Sequence, residues 1–541
     1  MADYTIENIY QGGYSSFSSP QKFSEAGALG MTTDPRTANI IKDASSKIAS
    51  GAKHMELVLV SPQVIDAIPK QQLAEARRLG ELTGVEFSVH GPVIDTTGVD
   101  QKSGFSELNR EASERRIIDT LERSHEISPT GKIPVVFHSG EGIPGSDWKT
   151  LGDDRQAQKL IVINRESGQM IPIEESKMYY PERNQLKPDI TEEQIKKVQE
   201  GELNKSALYN EIPLIDKRGR IVGQTMSPEE GLISHNYTSW DNELSQLRFN
   251  KEQADAILTK NRFQIEHLIP ELESGEINPN ALTPTQREAY SHYSNAKFYL
   301  ENLNRSIKAK FSKAVEFGND DQRKILDAFS EEYSKNSKNS KNIFDQAQSM
   351  QSVLDILSSP KITPELYVPI EEFAVEQSSK TFGNAALAAY KMYGNESPLV
   401  TIENPPAGFG LSTAKDLKDL VVASRNHFVE KAVEEGISKK EATKQAEKLI
   451  AATWDLGHIN MLRGKGFKEE DIIKETETIA PFVNHVHLSD NFGMEHTELP
   501  MGMGNVPMKE MMEKLGQKGF EAKKIIEAGN WWQHFQSSPF Q

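Results

Sequence analysis

Eight short β-rich runs punctuate the chain: LGMTT (29–33), MELVLV (55–60), EFSVHG (86–91), PVVFHSG (134–140), PLVTIEN (398–404), ATWDLGH (452–458), VNHVHLSD (483–490) and KIIEAG (524–529). Most gaps between them hold a helix-like segment, among them 107–127, 414–433 and 508–519. Strand and helix alternating in this way imply parallel strands joined by right-handed crossovers. Six of the seven centre-to-centre separations lie between 26 and 53 residues, and the other is 264. A gap of that size is far too long for one βα unit. The expected fold is therefore α/β, a (β/α)8 TIM barrel of roughly 250 residues interrupted after strand four by a large, mainly helical insertion.

This spacing places an N-terminal arm at 1–24, the barrel at 25–145 and 367–541, and the insertion at 146–366. The insertion opens with an expected hairpin, LIVINRESGQMIPI (160–173), whose Glu-Ser-Gly-Gln turn separates two apolar runs. From about 240 to 358 it turns helical, with NPNALTPTQ (278–286) as a break and SKNSKNSKN (334–342) as a polar low-complexity segment. The segment 369–394 is expected to restore the barrel as its fourth helix.

The 541-residue chain contains no cysteine, so thiolate-bound zinc, iron–sulfur clusters and thiol nucleophiles are excluded, and any metal must be held by His, Asp and Glu. Lys and Arg number 62 against 79 Asp and Glu, a formal charge of −17 that argues against wide, nonspecific coating of nucleic acid. A locally basic or metal-lined groove stays compatible with it. The N-terminal stretch has no basic start followed by an apolar core, and no 18-residue apolar run occurs. The expectation is a cytoplasmic protein with no membrane partner.

His90, His138, Glu403, Asp455, His458, His487 and Glu527 fall at or just past the ends of six expected strands. In a βα barrel those ends share one face, where active sites are built. A single such residue is most simply structural. Six strands behaving alike resist that explanation, because burying carboxylates and imidazoles costs on the order of several kcal/mol unless they are paired or metal-bound. In the loop after strand seven, His496 and Glu498 form an i, i+2 pair that an extended backbone turns to one side. Clustered imidazole and carboxylate donors suit Zn²⁺ first, or Mn²⁺, better than Mg²⁺.

These motifs resemble the xylose-isomerase-like barrel superfamily, and within it the endonuclease IV family of apurinic/apyrimidinic (AP) endonucleases. FSVHGP (87–92) resembles the family's strand-three histidine motif, and VVFHSG (135–140) its His-Pro-Gly motif with Ser139 in place of proline. IENPPAGFG (402–410) is similar to its Glu-Asn-Thr segment, WDLGH (454–458) to Asp-x-x-His, HLSD (487–490) to His-Leu-Asn-Asp, and Glu527 to the terminal glutamate. The resemblance implies up to three ions. His90, His138 and Glu403 would hold the first, Glu403, Asp455, His487 and Glu527 the second, and His458, His496 and Glu498 the third. It also implies a metal-dependent phosphodiesterase that cleaves damaged DNA 5′ to abasic sites in DNA repair, with Glu403 and Glu527 as catalytic carboxylates. Three departures bear on this. The order His496-x-Glu498 exchanges the family's Asp-x-His, Met503 replaces a glutamate in its Gly-Glu-Gly segment, and Ala-Gly-Asn follows Glu527 instead of Thr-Pro.

Two other readings stay open. A sugar or sugar-phosphate isomerase or epimerase on the same barrel needs chiefly Glu403, Asp455, His487 and Glu527, with one divalent ion and carboxylates that move protons. A non-enzyme reading makes the helical insertion a partner-binding arm on a barrel with a degenerate metal site, its partner unknown. The insertion leaves strand four on the same side as His138, so it is expected over or beside the pocket. His485 reads either as a support for His487 or as a hydrogen-bonded core residue. His54, His125, His235, His267, His292, His427, His534, Trp531 and Trp532 read as surface or packing residues.

Overall fold

A computed structural model describes residues 29–34, 39–49, 51–100, 102–128, 131–140, 142–178, 184–186, 209–211, 224–274, 277–278, 282–337 and 342–528. The arm at 1–24, Trp531, Trp532 and His534 lie outside the described residues. Eight strands close a barrel: β1 (Leu29–Thr32), β2 (His54–Val58), β3 (Glu86–His90), β4 (Pro134–His138), β5 (Leu399–Glu403), β6 (Ile450–Asp455), β7 (Val483–Leu488) and β8 (Lys523–Ile526). Each strand pairs in parallel with its neighbours in sequence order, and β8 closes on β1. The fold is a (β/α)8 barrel.

The strands read as apolar runs because parallel strands are covered on both faces. Met55, Leu57, Val89, Val135, Val136, Phe137, Val400, Ile402 and Val486 are all fully buried. Around them run α1 (Ile40–Ile48), α2 (Lys70–Thr83), α3 (Glu107–Ile127), α4 (Ile370–Tyr393), α5 (Ala414–Glu434), α6 (Lys439–Leu449), α7 (Glu469–Ile479) and α8 (Met508–Glu521). Helix α4 is seated between α3 and α5, its Phe373, Phe382, Ala385, Ala386 and Ala389 buried. This fourth helix follows the long gap and so completes the barrel from the far side of the insertion. Thr413 caps α5, its hydroxyl accepting from the Asp416 backbone N–H at 3.3 Å.

The chain divides into two compact units, Met1–Pro172 with Tyr367–Gln541, and Ile173–Leu366. The hairpin at the start of the expected insertion falls within the first except for the end of its second strand, from Ile173 on. Its strands Ala157–Asn164 and Met170–Glu174 pair, and Gly168 supplies the positive φ (69°) of the turn while Asn164 Oδ1 accepts from the N–H groups of Glu166 and Ser167. Tyr367–Pro369 pairs with the same strand, Tyr367 opposite Asn164, so the chain leaves and re-enters this unit beside one small sheet.

The second unit is mainly helical: Pro228–Lys260, Arg262–Glu273, Pro284–Phe317, Asp320–Ser337 and Ile343–Leu357. Both of its longest helices begin with reciprocal capping boxes, Ser227 with Glu230 and Thr283 with Gln286. Trp240, Leu244, Leu247, Leu300, Leu303 and Leu357 are buried, and the Trp240 indole N–H donates to Leu357 O at 2.8 Å. Among the described residues, no helix is long and apolar enough to cross a membrane.

Candidate metal centre

Register places the site. In the parallel pairing of β4 with β5, His138 lies opposite Glu403, and in that of β6 with β7, Asp455 lies opposite His487. His90 ends β3, and Glu527 follows β8 with its N–H held by Leu488 O at 3.0 Å. All are at the C-terminal ends of their strands. The parallel sheet thus brings to one end side chains that are up to several hundred residues apart in sequence.

Glu403, fully buried, is the hub. Its Oε2 lies 3.3 Å from His90 Nε2 and 3.4 Å from His138 Nε2, and its Oε1 lies 2.9 Å from His487 Nδ1. His487 Nδ1 is also 3.3 Å from Glu527 Oε2. Ligand atoms of His90, His138 and Glu403 fall within 4.8 Å of one another, as do those of Glu403, Asp455, His487 and Glu527. Asp455 does two jobs. Its Oδ1 caps the short helix Leu456–Asn460 by accepting from the His458 N–H at 2.7 Å, and its buried Oδ2 accepts no hydrogen bond from the described residues.

Tautomers can be read from the same contacts. The His90 Nδ1–H donates to Gly91 O at 3.0 Å, so its Nε2 lone pair faces Glu403. A carboxylate and a lone pair repel at that distance unless a proton or a cation sits between them. His458 Nδ1–H likewise donates to Asn404 O at 2.8 Å, which turns its Nε2 lone pair toward His496 Nε2, 2.9 Å away. Glu498 Oε1 is 4.0 Å from His496 Nε2, and both of these side chains are more than a third exposed. The structure therefore brings His90, His138, Glu403, Asp455, His487 and Glu527 into one buried group. It sets His458 and His496 beside that group, with Glu498 at the rim.

Electrostatics in the metal-free protein point the same way. Burial, reinforced by the negative charges of Glu527 and Glu403, pushes Asp455 up to about 7. Burial works against ionisation of Glu403 too, yet His487 and His138 outweigh it and hold the carboxyl well below its usual range. His487 is buried, but Glu403, Glu527 and Glu56 together raise it well above the ordinary imidazole value. Burial, then the neighbouring His458, lowers His496. Three carboxylates, two of which (Glu403 and Asp455) have a buried oxygen with no hydrogen-bond partner among the described residues, and inward-facing ring lone pairs form a donor set that fits a divalent cation.

No family model matches the chain. An uncharacterized protein of Methanocaldococcus jannaschii is 30% identical over 83 residues, which amount to 15% of this chain and 27% of that protein. The chain thus spans about a quarter of the length of the curated relative it matches. Among solved structures, a D-tagatose 3-epimerase-like protein superposes with a TM-score of 0.37 at 12% identity, covering 93% of this chain and 90% of that one.

Three residues outside the expected site belong to its surroundings. Glu56 on β2 reaches across the barrel interior to His485 and His487, with Oε2 at 3.2 Å from His485 Nε2 and Oε1 at 3.1 Å from His487 Nε2. The only sequence signal for it is a glutamate inside the apolar run MELVLV. Asn404 ties β5 to β6: its Oδ1 accepts from the Asp455 N–H at 2.8 Å and its amide donates to Asp455 O at 3.1 Å. Asp490 anchors the loop that carries His496, its carboxylate accepting from the N–H groups of Asn491, Gly502, Gly504 and Val506. A Cβ on Gly504 would meet Asp490 Oδ1 at 2.2 Å, so that position has to be glycine.

Proposed function

We propose that the barrel is a divalent-metal phosphodiesterase acting on DNA at abasic sites. The supporting observation is that the two oxygens of Glu403 face two different donor sets, His90 with His138 on one side and His487 on the other. A carboxylate so placed suits a pair of adjacent ions, an arrangement that stabilises both the attacking and the leaving oxygens of an in-line phosphoryl displacement. His90, His138 and Glu403 would hold one ion, and Glu403, Asp455, His487 and Glu527 the other. Zn²⁺ or Mn²⁺ matches the mixed nitrogen and oxygen donors. The chain's own part is to fix these donors, His90 and His458 through their Nδ1–H bonds and Asp455 through the helix cap. His496 and Glu498, reachable from solvent, stand where the parts of the substrate beyond the buried group would pass.

A duplex with one abasic site tests the reading. Purified, metal-loaded protein is expected to nick it 5′ to the lesion, and chelation to abolish the nick. Intact duplex after incubation with fully metallated protein would sink the proposal.

A sugar isomerase or epimerase is the second reading, favoured by one observation. Glu403, Asp455, His487 and Glu527 by themselves make a four-residue set for a single ion, flanked by carboxylates able to move protons. It predicts solvent deuterium in a sugar substrate and activity that survives His90→Ala, whereas the phosphodiesterase reading predicts that this substitution is disabling.

A further inference from the structure

Glu56, His485 and His487 form a second buried cluster, lying on the far side of His487 from Glu403. All three are completely inaccessible to solvent. Strand β2 is separated from β7 by β1 and β8, so this contact runs through the barrel interior and not along the sheet. Glu56 is itself held in place: the Ser88 hydroxyl of β3 donates to its Oε2 at 2.8 Å, and His485 Nε2 stands 3.2 Å from the same oxygen. That leaves Oε1 facing His487 Nε2 at 3.1 Å, within ion-pair distance but without the alignment of a hydrogen bond.

We infer that Glu56 is a positioning residue for the metal centre, setting the tautomer and ring orientation of His487 from behind. An imidazole has one N–H and one lone pair in its neutral form. With an anionic oxygen 3.1 Å from Nε2 and a cation bound on the Nδ1 side, the proton belongs on Nε2, and the lone pair on Nδ1 is turned toward Glu403, Glu527 and the ion they would share. The other tautomer would aim a donor at the cation and a lone pair at a carboxylate. Carboxylates behind ligating histidines act in this way, and their loss typically costs about 10- to 100-fold in metal affinity or activity. Ser88 and His485 keep Glu56 from swinging into the site, where it would itself become a ligand. The inference rests on the metal-centre reading of the site and adds to it a residue that never touches the ion.

The test is a chelator-competition titration of the full-length protein with Zn²⁺ and, separately, Mn²⁺, alongside ¹⁵N NMR of the histidine side chains. Wild type is expected to bind with defined stoichiometry and, once metal-loaded, to show His487 protonated at Nε2 alone. Glu56→Leu, close in size but unable to accept a proton, is expected to weaken binding about 10- to 100-fold with unchanged stoichiometry at saturation. Glu56→Gln, which keeps an acceptor oxygen, should recover most of that loss. If Glu56→Leu fails to fold, Ser88→Ala removes only the support of Glu56, and a several-fold weakening is expected. Unchanged affinity in Glu56→Leu, or in Ser88→Ala where that variant stands in, would overturn the role of Glu56 and leave the metal centre standing. Loss of one whole ion at saturation would overturn it differently, by making Glu56 a ligand. A wild-type protein that binds no divalent ion would remove the metal centre itself, and the role of Glu56 with it.

Discussion

At the scale of single residues, the site depends on Glu403 more than on any other group. Replacing it with glutamine puts an amide where two imidazoles and a third ring nitrogen converge. Glu403→Gln is expected to lower bound metal below one ion per chain by elemental analysis, and to reduce turnover on either proposed substrate by about 10²-fold or more. His496 is the opposite case, since it is more than a third exposed and, among the described residues, meets the group through His458. His496→Ala should leave the buried donor set filled and change metal content by one ion at most. A variant that keeps its full metal complement and activity would show that the exchanged His496 and Glu498 pair holds no ion. Most residues gathered here can be read in the sequence because strand ends announce themselves: a polar residue that breaks an apolar run has few places to go. Glu56 escapes that logic. It sits inside the apolar run MELVLV, and its two histidine partners are on β7, which neighbours β2 neither in sequence nor in the sheet, so only closure of the barrel explains why a glutamate is there.

At the scale of elements, the connection between α4, α5 and α7 holds a buried acidic cluster. Glu371 of α4 accepts from the Ser146 N–H and hydroxyl at 2.6 and 3.0 Å, Glu475 of α7 accepts from the Ala414 N–H at 2.7 Å, and Asp416 of α5 binds Arg155 at 2.6 Å. Burial, then the charge of Asp416, pushes Glu371 up to about 7, and burial takes Glu475 to about 7 as well. The folded chain thus holds protons that the unfolded chain releases at lower pH. These two groups contribute stability that is fully present below the ordinary carboxyl value of 4.5 and is lost as pH rises through about 7. Glu475→Gln removes one of the two. Thermal melts of the metal-free protein at pH 5.5 and 8.0 should therefore differ less in this variant than in wild type, and an equal difference would show that Glu475 does not titrate in this window. Nothing in the sequence pattern points to this cluster. Glu371 and Asp416 fall on helix starts, where acidic residues are ordinary, and Glu475 lies within α7; their burial follows from the packing of three helices and the small sheet beside them.

At the scale of the molecule, the two compact units make an unequal pair. The barrel unit gathers all the donors of the metal centre, whereas Ile173–Leu366 has its own buried core around Trp240 and Leu244. Pro172 and Tyr367 flank the same strand, which by strand geometry leaves a gap on the order of 15 Å. A chain lacking 173–366 and closed by a short flexible linker is expected to fold, by circular dichroism, and to bind metal within a few-fold of the full-length affinity. Loss of metal binding in a folded deletion protein would show that the second unit contributes to the centre. The long separation between strands four and five is legible from spacing alone. The point of division is not, because the hairpin that begins the expected insertion is held in a sheet with Tyr367–Pro369 after the insertion ends.

That separation also sets a clock. Strand β4 needs β5 as its outer neighbour, yet Val136 and its partner Thr401 are separated by the whole insertion. At roughly 5–20 residues per second of synthesis, some 264 residues take about 13–50 s to emerge. For that interval half a barrel, with Val135, Val136 and Phe137 along its edge, exists without the neighbour that covers this edge. The helical unit can complete its core within that time, since its helices contact one another locally. The order of birth on the ribosome is thus the reverse of the order of completion: the strands translated first are the last to be sealed.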